Sequence, residues 1–150
     1  MRKDVEHLAD IYPACLAANG VTPATVGSSA QDLIARFEVL LGPIDFGRHS
    51  AASPVKLLDL GCGPGLLLDY LAENDLLSRV DYTGVDVIDT LMPHARRRWP
   101  QHRFELRGVR DRPFEADAFD YCIICSVFNA RFQNSYADME KLVCETLRAL

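Results

Sequence analysis

Apolar positions recur at helical spacing twice before the chain changes character. Val5, Leu8, Ile11, Tyr12 and Cys15 fall three or four apart, predicting an amphipathic helix over residues 1–18 that Asn19-Gly20 stops. Residues 20–29 are rich in Gly, Pro, Ser and Thr and read as a link. Ser29 with Asp32 resembles a capping box, and Leu33, Ile34, Phe37, Leu40 and Leu41 form the apolar face of a second helix closed by Gly42-Pro43. Residues 42–54 read as a loop.

From Val55 onward the pattern alternates strand and helix. Residues 55–60 are almost all apolar, as a strand buried on both faces requires. Residues 65–77 predict a crossover helix, Val80 to Val85 a second strand ending at Asp86, and residues 90–99 a second crossover helix. Thr90 is its expected cap, which puts Pro93 in the first turn where a missing N–H does no harm. Arg103 to Arg107 is a weak third strand, and residues 119–125 a strong, buried fourth. Tyr136 to Leu150 carries Met139, Leu142, Val143, Thr146, Leu147 and Leu150 on one side of a last helix. This helix reaches the chain end with no cap, and a fourth strand this apolar wants two neighbours. The chain is therefore expected to be the N-terminal part of a longer fold.

Length and composition add bounds. One domain accounts for 150 residues, and 49% hydrophobic with 25% charged residues is enough to build a core. The formal charge of −5 argues against a nucleic-acid partner. The arginines at 96, 97, 98, 103, 107, 110 and 112 have little aromatic interleaving and read as a solvated face rather than an RNA surface. The first residues lack the apolar segment of a signal peptide, and no apolar run approaches the ~20 residues of a membrane span. A cytoplasmic location is expected by elimination. Five cysteines suggest free thiols. Cys122 and Cys125 match a C-x-x-C spacing, but on a strand residues three apart face opposite ways, so no metal is expected there.

The candidate chemistry sits at two strand ends. Asp59 and Leu60 lead into Gly61-Cys62-Gly63-Pro64-Gly65, then into a helix. Glycines permit a sharp turn and close approach of a ligand to the main chain. Asp86 ends the second strand, where a carboxylate can accept hydrogen bonds from both ribose hydroxyls. Strand, glycine loop, helix and acid form a general recipe for an adenosine-containing cofactor. A dinucleotide site wants glycines at relative positions one, three and six, but the sixth here is Leu66. Asp59 would also repel a pyrophosphate, and suits a ligand with an ammonium and a sulfonium.

Leu57-Leu58-Asp59-Leu60-Gly61-Cys62-Gly63-Pro64-Gly65 together with Asp86 resembles the class I S-adenosylmethionine-dependent methyltransferases, over roughly residues 30–150. The resemblance implies an α/β, Rossmann-like, mostly parallel sheet of order 3-2-1-4 with helices on both faces. Residues 1–54 would be a helical cover and loop and 55–150 the cofactor-binding core, with the family's later strands absent. It implies S-adenosylmethionine as cofactor, held by Asp59, Gly61, Cys62, Gly63, Gly65, Asp86, Val87, Val109, Arg110 and Ser126. Where many members carry Gly-Asp after strand 3, this chain has Gly108 or Val109, so adenine contact passes to backbone groups, Arg110 or Asp111. Val127 is a further cofactor candidate, and Phe128, Asn129 and Arg131 are substrate candidates. Arg36 reads as an exposed helix charge. No Asn-Pro-Pro-Tyr or Pro-Cys follows strand 4, which disfavours adenine N-methylation and cytosine C5 chemistry and leaves an unidentified, preferably small, acceptor. No catalytic residue is assigned, though His49, His94 and Asp120 are available as bases. The rival readings are a non-catalytic cofactor-binding module and an NAD-dependent oxidoreductase.

Overall fold

The central strand β1 (Val55–Leu60) exposes only Lys56, as its sequence predicts. Around it lie α1 (Arg2–Asn19), α2 (Ala30–Leu41), α3 (Leu66–Glu73), β2 (Val80–Asp86), α4 (Met92–Arg98), β3 (Arg103–Leu106), β4 (Tyr121–Ile124) and α5 (Tyr136–Arg148). The computed structural model describes residues 2–110, 112–129 and 135–150, with side chains in α1 given for Leu8 and from Asp10 onward. All pairings in the sheet are parallel and its order is β3-β2-β1-β4, the expected 3-2-1-4. Leu60 lies beside both Val85 and Ile124, and Asp86 beside Leu106, so the four strands finish along one rim.

Alternation along β1 divides the core. Val55 and Leu57 pack with Leu33, Phe37 and Leu41 of α2, with the leucines of α3, and with Met92 and Ala95 of α4. Leu58 and Leu60 pack on the other face with Val85 and Val109, joined by Phe114, Phe119 and Leu150. Burying each such leucine is worth about 1.5–3 kcal/mol. Cys125 joins the first cluster and Cys122 the second, so the two thiols do face opposite sides of the sheet.

Several boundaries differ from expectation for physical reasons. The first crossover helix stops at Glu73, because Asp75 adopts a left-handed φ of 57° and the Leu76 N–H turns back to the Leu71 carbonyl. Leu77–Arg79 is a separate 3-10 turn. Leu91, not Thr90, caps α4, although Pro93 does lie in its first turn. β4 is shorter than expected and half exposed, with only β1 beside it among the described residues. Ile34 and Leu147, expected on buried faces, are exposed.

The Ser29–Asp32 start of α2 forms as expected, with the Ser29 hydroxyl accepting from the Asp32 N–H. A second cap was not anticipated: Ser135 and Asp138 make a full capping box at α5. No helix among the described residues is long and apolar enough to cross a membrane.

Candidate functional site

The glycine loop after β1 depends on its backbone angles. Gly61, Gly63 and Gly65 have φ of 77°, 53° and 84°, in the left-handed region that favours glycine. The loop's N–H groups are all used internally. Those of Gly61 and Cys62 donate to the Val85 carbonyl, that of Gly63 to Asp86 Oδ2 at 2.8 Å, and that of Gly65 to the Cys62 carbonyl. Pro64 has none. The loop therefore offers bare Cα surface and carbonyls rather than a ring of donors. Arg98 holds it from outside, donating to the Pro64 carbonyl while its other nitrogen pairs with Asp69.

Asp86 closes β2 as a bracket. Besides Gly63, the Val87 and Ile88 N–H groups donate to its Oδ1 at 2.7 and 2.9 Å. Burial pushes its pKa up, and these three N–H groups oppose the shift. Asp59, 4% exposed, accepts from the Tyr82 hydroxyl at 2.7 Å. Its pKa is pushed up to about 7, chiefly by burial, with the Tyr82 hydrogen bond pulling down and the Asp86 charge pushing up. Gly84 makes room for this pair. A Cβ there would stand 2.9 Å from both the Tyr82 hydroxyl and Cys62 Sγ. Burial likewise drives the Cys62 thiol up, so it is a packing group rather than a nucleophile.

These residues floor a cavity of about 290 Å³ at the strand-end rim, near the lower end of the roughly 300–1,000 Å³ usual for small-ligand sites. Asp59, Gly61, Cys62, Gly63, Asp86, Val87, Val109, Arg110, Ser126, Val127 and Phe128 all line it. Gly65 does not. Its missing Cβ faces Trp99, Phe104 and Ala95, so it serves the packing of α3 on α4 and β3. Asn129 is also outside the lining, while Arg131 and Asp111 lie outside the described residues. Arg110 pairs with Glu145 of α5, and Arg107 with Glu105, its guanidinium 3.7 Å from the Phe114 ring centre. Of the arginine group, 98, 107, 110 and 112 are thus in ion pairs within the fold, and Arg96 donates to the Phe104 carbonyl.

Sequence reasoning missed part of the wall. Leu8 and Tyr12 of α1 and Leu33 and Phe37 of α2 line the cavity. Tyr12 stood in the predicted apolar stripe, and only the topology shows that this stripe meets the strand ends. Arg36 is exposed, but it also crosses to β4's end, donating to Ser126 Oγ at 2.7 Å and to Ser28 Oγ at 3.2 Å. Of the three candidate bases none lines the cavity. Asp120 is bound at the opposite rim, where it accepts from the Lys56 N–H at 2.8 Å.

The comparisons agree with this geometry. A family model described as a methyltransferase domain matches residues 57–150. A Mycobacterium tuberculosis protein named "Putative methyltransferase Rv1506c" is 36% identical over 89 residues, which is 57% of this chain and 49% of that protein. Among solved structures, the plantazolicin methyltransferase BpumL, in complex with a triazolic desmethylPZN analog and SAH, matches with a TM-score of 0.59 and 18% identity, over 100% of this chain and 57% of that one. A TehB-like SAM-dependent methyltransferase from Corynebacterium glutamicum matches at 0.54 and 19%, over 100% and 68%. At these identities the structures establish the shared fold. The chain spans about half the length of the curated relative it matches.

Proposed function

The chain belongs to the methyltransferase domain family, and from that premise we propose that it transfers a methyl group from S-adenosylmethionine to a small acceptor. One observation carries the choice of cofactor: two buried carboxylates, Asp59 and Asp86, flank a loop whose N–H groups are already donated within the fold. Two acids beside a glycine loop that keeps no free N–H oppose a pyrophosphate and favour a ligand with a cationic end. The solved BpumL complex with SAH and a desmethylPZN analog supports both the cofactor and a small-molecule acceptor.

When bound, S-adenosylmethionine supplies an electrophilic methyl group for in-line displacement. The residues of this chain do the rest by placement. Asp86 directs Oδ2 at the loop, and a carboxylate oxygen has capacity for a further donor such as a ribose hydroxyl. Leu60, Val87, Ile88 and Val109 give apolar walls for a base. Asp59 sets the charge beneath Gly61. Val127, Phe128 and the Arg36–Ser126 bridge stand at the β4 end, where an acceptor would enter, with Asn129 and Arg131 as further candidates. Holding two reactants in a near-attack geometry accounts for much of such a reaction without a conspicuous catalytic side chain.

Calorimetric titration with S-adenosylmethionine, S-adenosylhomocysteine and NAD tests the proposal. The first two should bind and NAD should not, and Asp86→Ala should weaken binding by about 1–3 kcal/mol. Tighter binding of NAD would reverse the reading.

A further inference from the structure

Most of the side-chain hydroxyls that line the cavity are engaged within the fold. Thr146 donates to the Leu142 carbonyl at 2.8 Å, and Ser28 and Ser126 both accept from Arg36. The hydroxyl of Tyr12 is different. Tyr12 lines the cavity one helical turn from Leu8, which lines it too. Among the described residues no group hydrogen-bonds the Tyr12 hydroxyl. It is not sealed in the interior either, since the buried polar side-chain atom left without a partner there is Trp99 Nε1. Burial pushes the Tyr12 phenol up, and the charge of Asp86 pushes it further, ahead of Cys15. Tyr12 and Asp86 thus lie within electrostatic reach of each other and line one cavity, the first from α1 and the second from the end of β2.

The two groups select what can touch both. An ionised Asp86 only accepts, and with three N–H groups already on its oxygens it keeps capacity for a further donor. A phenol hydroxyl both donates and accepts. A carboxylate or phosphate touching both would be repelled by Asp86, and an ammonium would leave the phenol proton without an acceptor. A sugar hydroxyl satisfies both, donating to Asp86 while it accepts from Tyr12. Resting on the proposed function, we propose that Tyr12 is a cofactor-binding residue that hydrogen-bonds, from α1, the ribose held by Asp86. Because its hydroxyl has no partner within the described fold, that hydroxyl contributes to the affinity for the nucleoside and not to the stability of the empty chain.

The test is calorimetric titration of the whole chain and of its Tyr12→Phe variant with S-adenosylhomocysteine and with the 2′-deoxy and 3′-deoxy forms of that ligand. Tyr12→Phe should weaken the parent ligand about fivefold, the scale of one neutral hydrogen bond. It should leave the urea midpoint of the ligand-free chain unchanged. With the deoxy form that lacks the contacted hydroxyl, the two proteins should bind alike, as two changes that remove one interaction must. Equal affinity of the two proteins for the parent ligand would overturn the inference. A loss that persists with both deoxy forms would overturn it too, by assigning Tyr12 to another part of the ligand. So would a lowered urea midpoint or a variant that does not fold, since the hydroxyl would then be a structural group. All three leave the cofactor reading intact. Failure of the unmodified chain to bind S-adenosylhomocysteine would overturn that reading and this inference with it.

Discussion

Gly61 and Val127 meet where β1's loop passes the end of β4. A Cβ on Gly61 would stand 2.5 Å from Val127 Cγ2, and the Gly61 backbone is left-handed at 77°. Gly61→Ala therefore combines a steric cost with a conformational one, together about 1–3 kcal/mol in urea unfolding. Adding Val127→Ala should recover the steric part and leave about 1 kcal/mol for the backbone. Full recovery would mean that the left-handed angle is not what demands glycine there. The acids at the same rim show how far single residues could be read in the sequence. Asp59 and Asp86 were identifiable from their places at strand ends, but their partners were not. Tyr82 looked like one more apolar strand residue, yet its hydroxyl meets Asp59, and that follows only from the pairing of Asp59 with Gly84 on the neighbouring strand.

Some elements are held by local devices sharper than the hydrophobic pattern. The α5 cap is an instance: Ser135 accepts from the Asp138 N–H, while the Asp138 carboxylate accepts from both the Ser135 N–H and its hydroxyl. These bonds, the backbone one first after the hydroxyl, hold the Asp138 pKa below the usual carboxylate range. Ser135→Ala should cost about 1 kcal/mol, read by thermal or urea unfolding; no change would show that α5 is held by its packing alone. The helices and strands themselves were legible because apolar spacing changes from helical to strand-like at Val55. Their ends were less so. The stop at Glu73 needs Asp75 in a left-handed turn that aspartate tolerates without advertising it. β4's composition reads as buried, yet the order 3-2-1-4 that the resemblance implied already leaves it at an edge of the described sheet, and its exposure follows from that place.

For the molecule as a whole, the cavity lies between the turns at the strand ends and residues of α1 and α2, with Arg36 of α2 tied across the rim to Ser126, while Leu33 and Phe37 of α2 also pack into the sheet's core. A ligand in contact with both sides of the cavity links their stabilities, and one present at 100 times its Kd adds about 2.7 kcal/mol to the folded state. S-adenosylhomocysteine should therefore slow amide exchange in α1 and α2 as well as in the glycine loop. Slowing confined to the loop would mean that the cover takes no part in binding. The two leading amphipathic helices, expected to act as a cover, were visible in the sequence; which of their residues line the cavity was not.

All strands run the same way, so every turn that meets the proposed ligand lies on one side. The turn at 51–53 is exposed and precedes β1 at the other side. A surface anchor or a fluorescent dye placed on Ala52 would leave the mouth unobstructed, making that turn the natural attachment point for immobilised binding assays or single-molecule work.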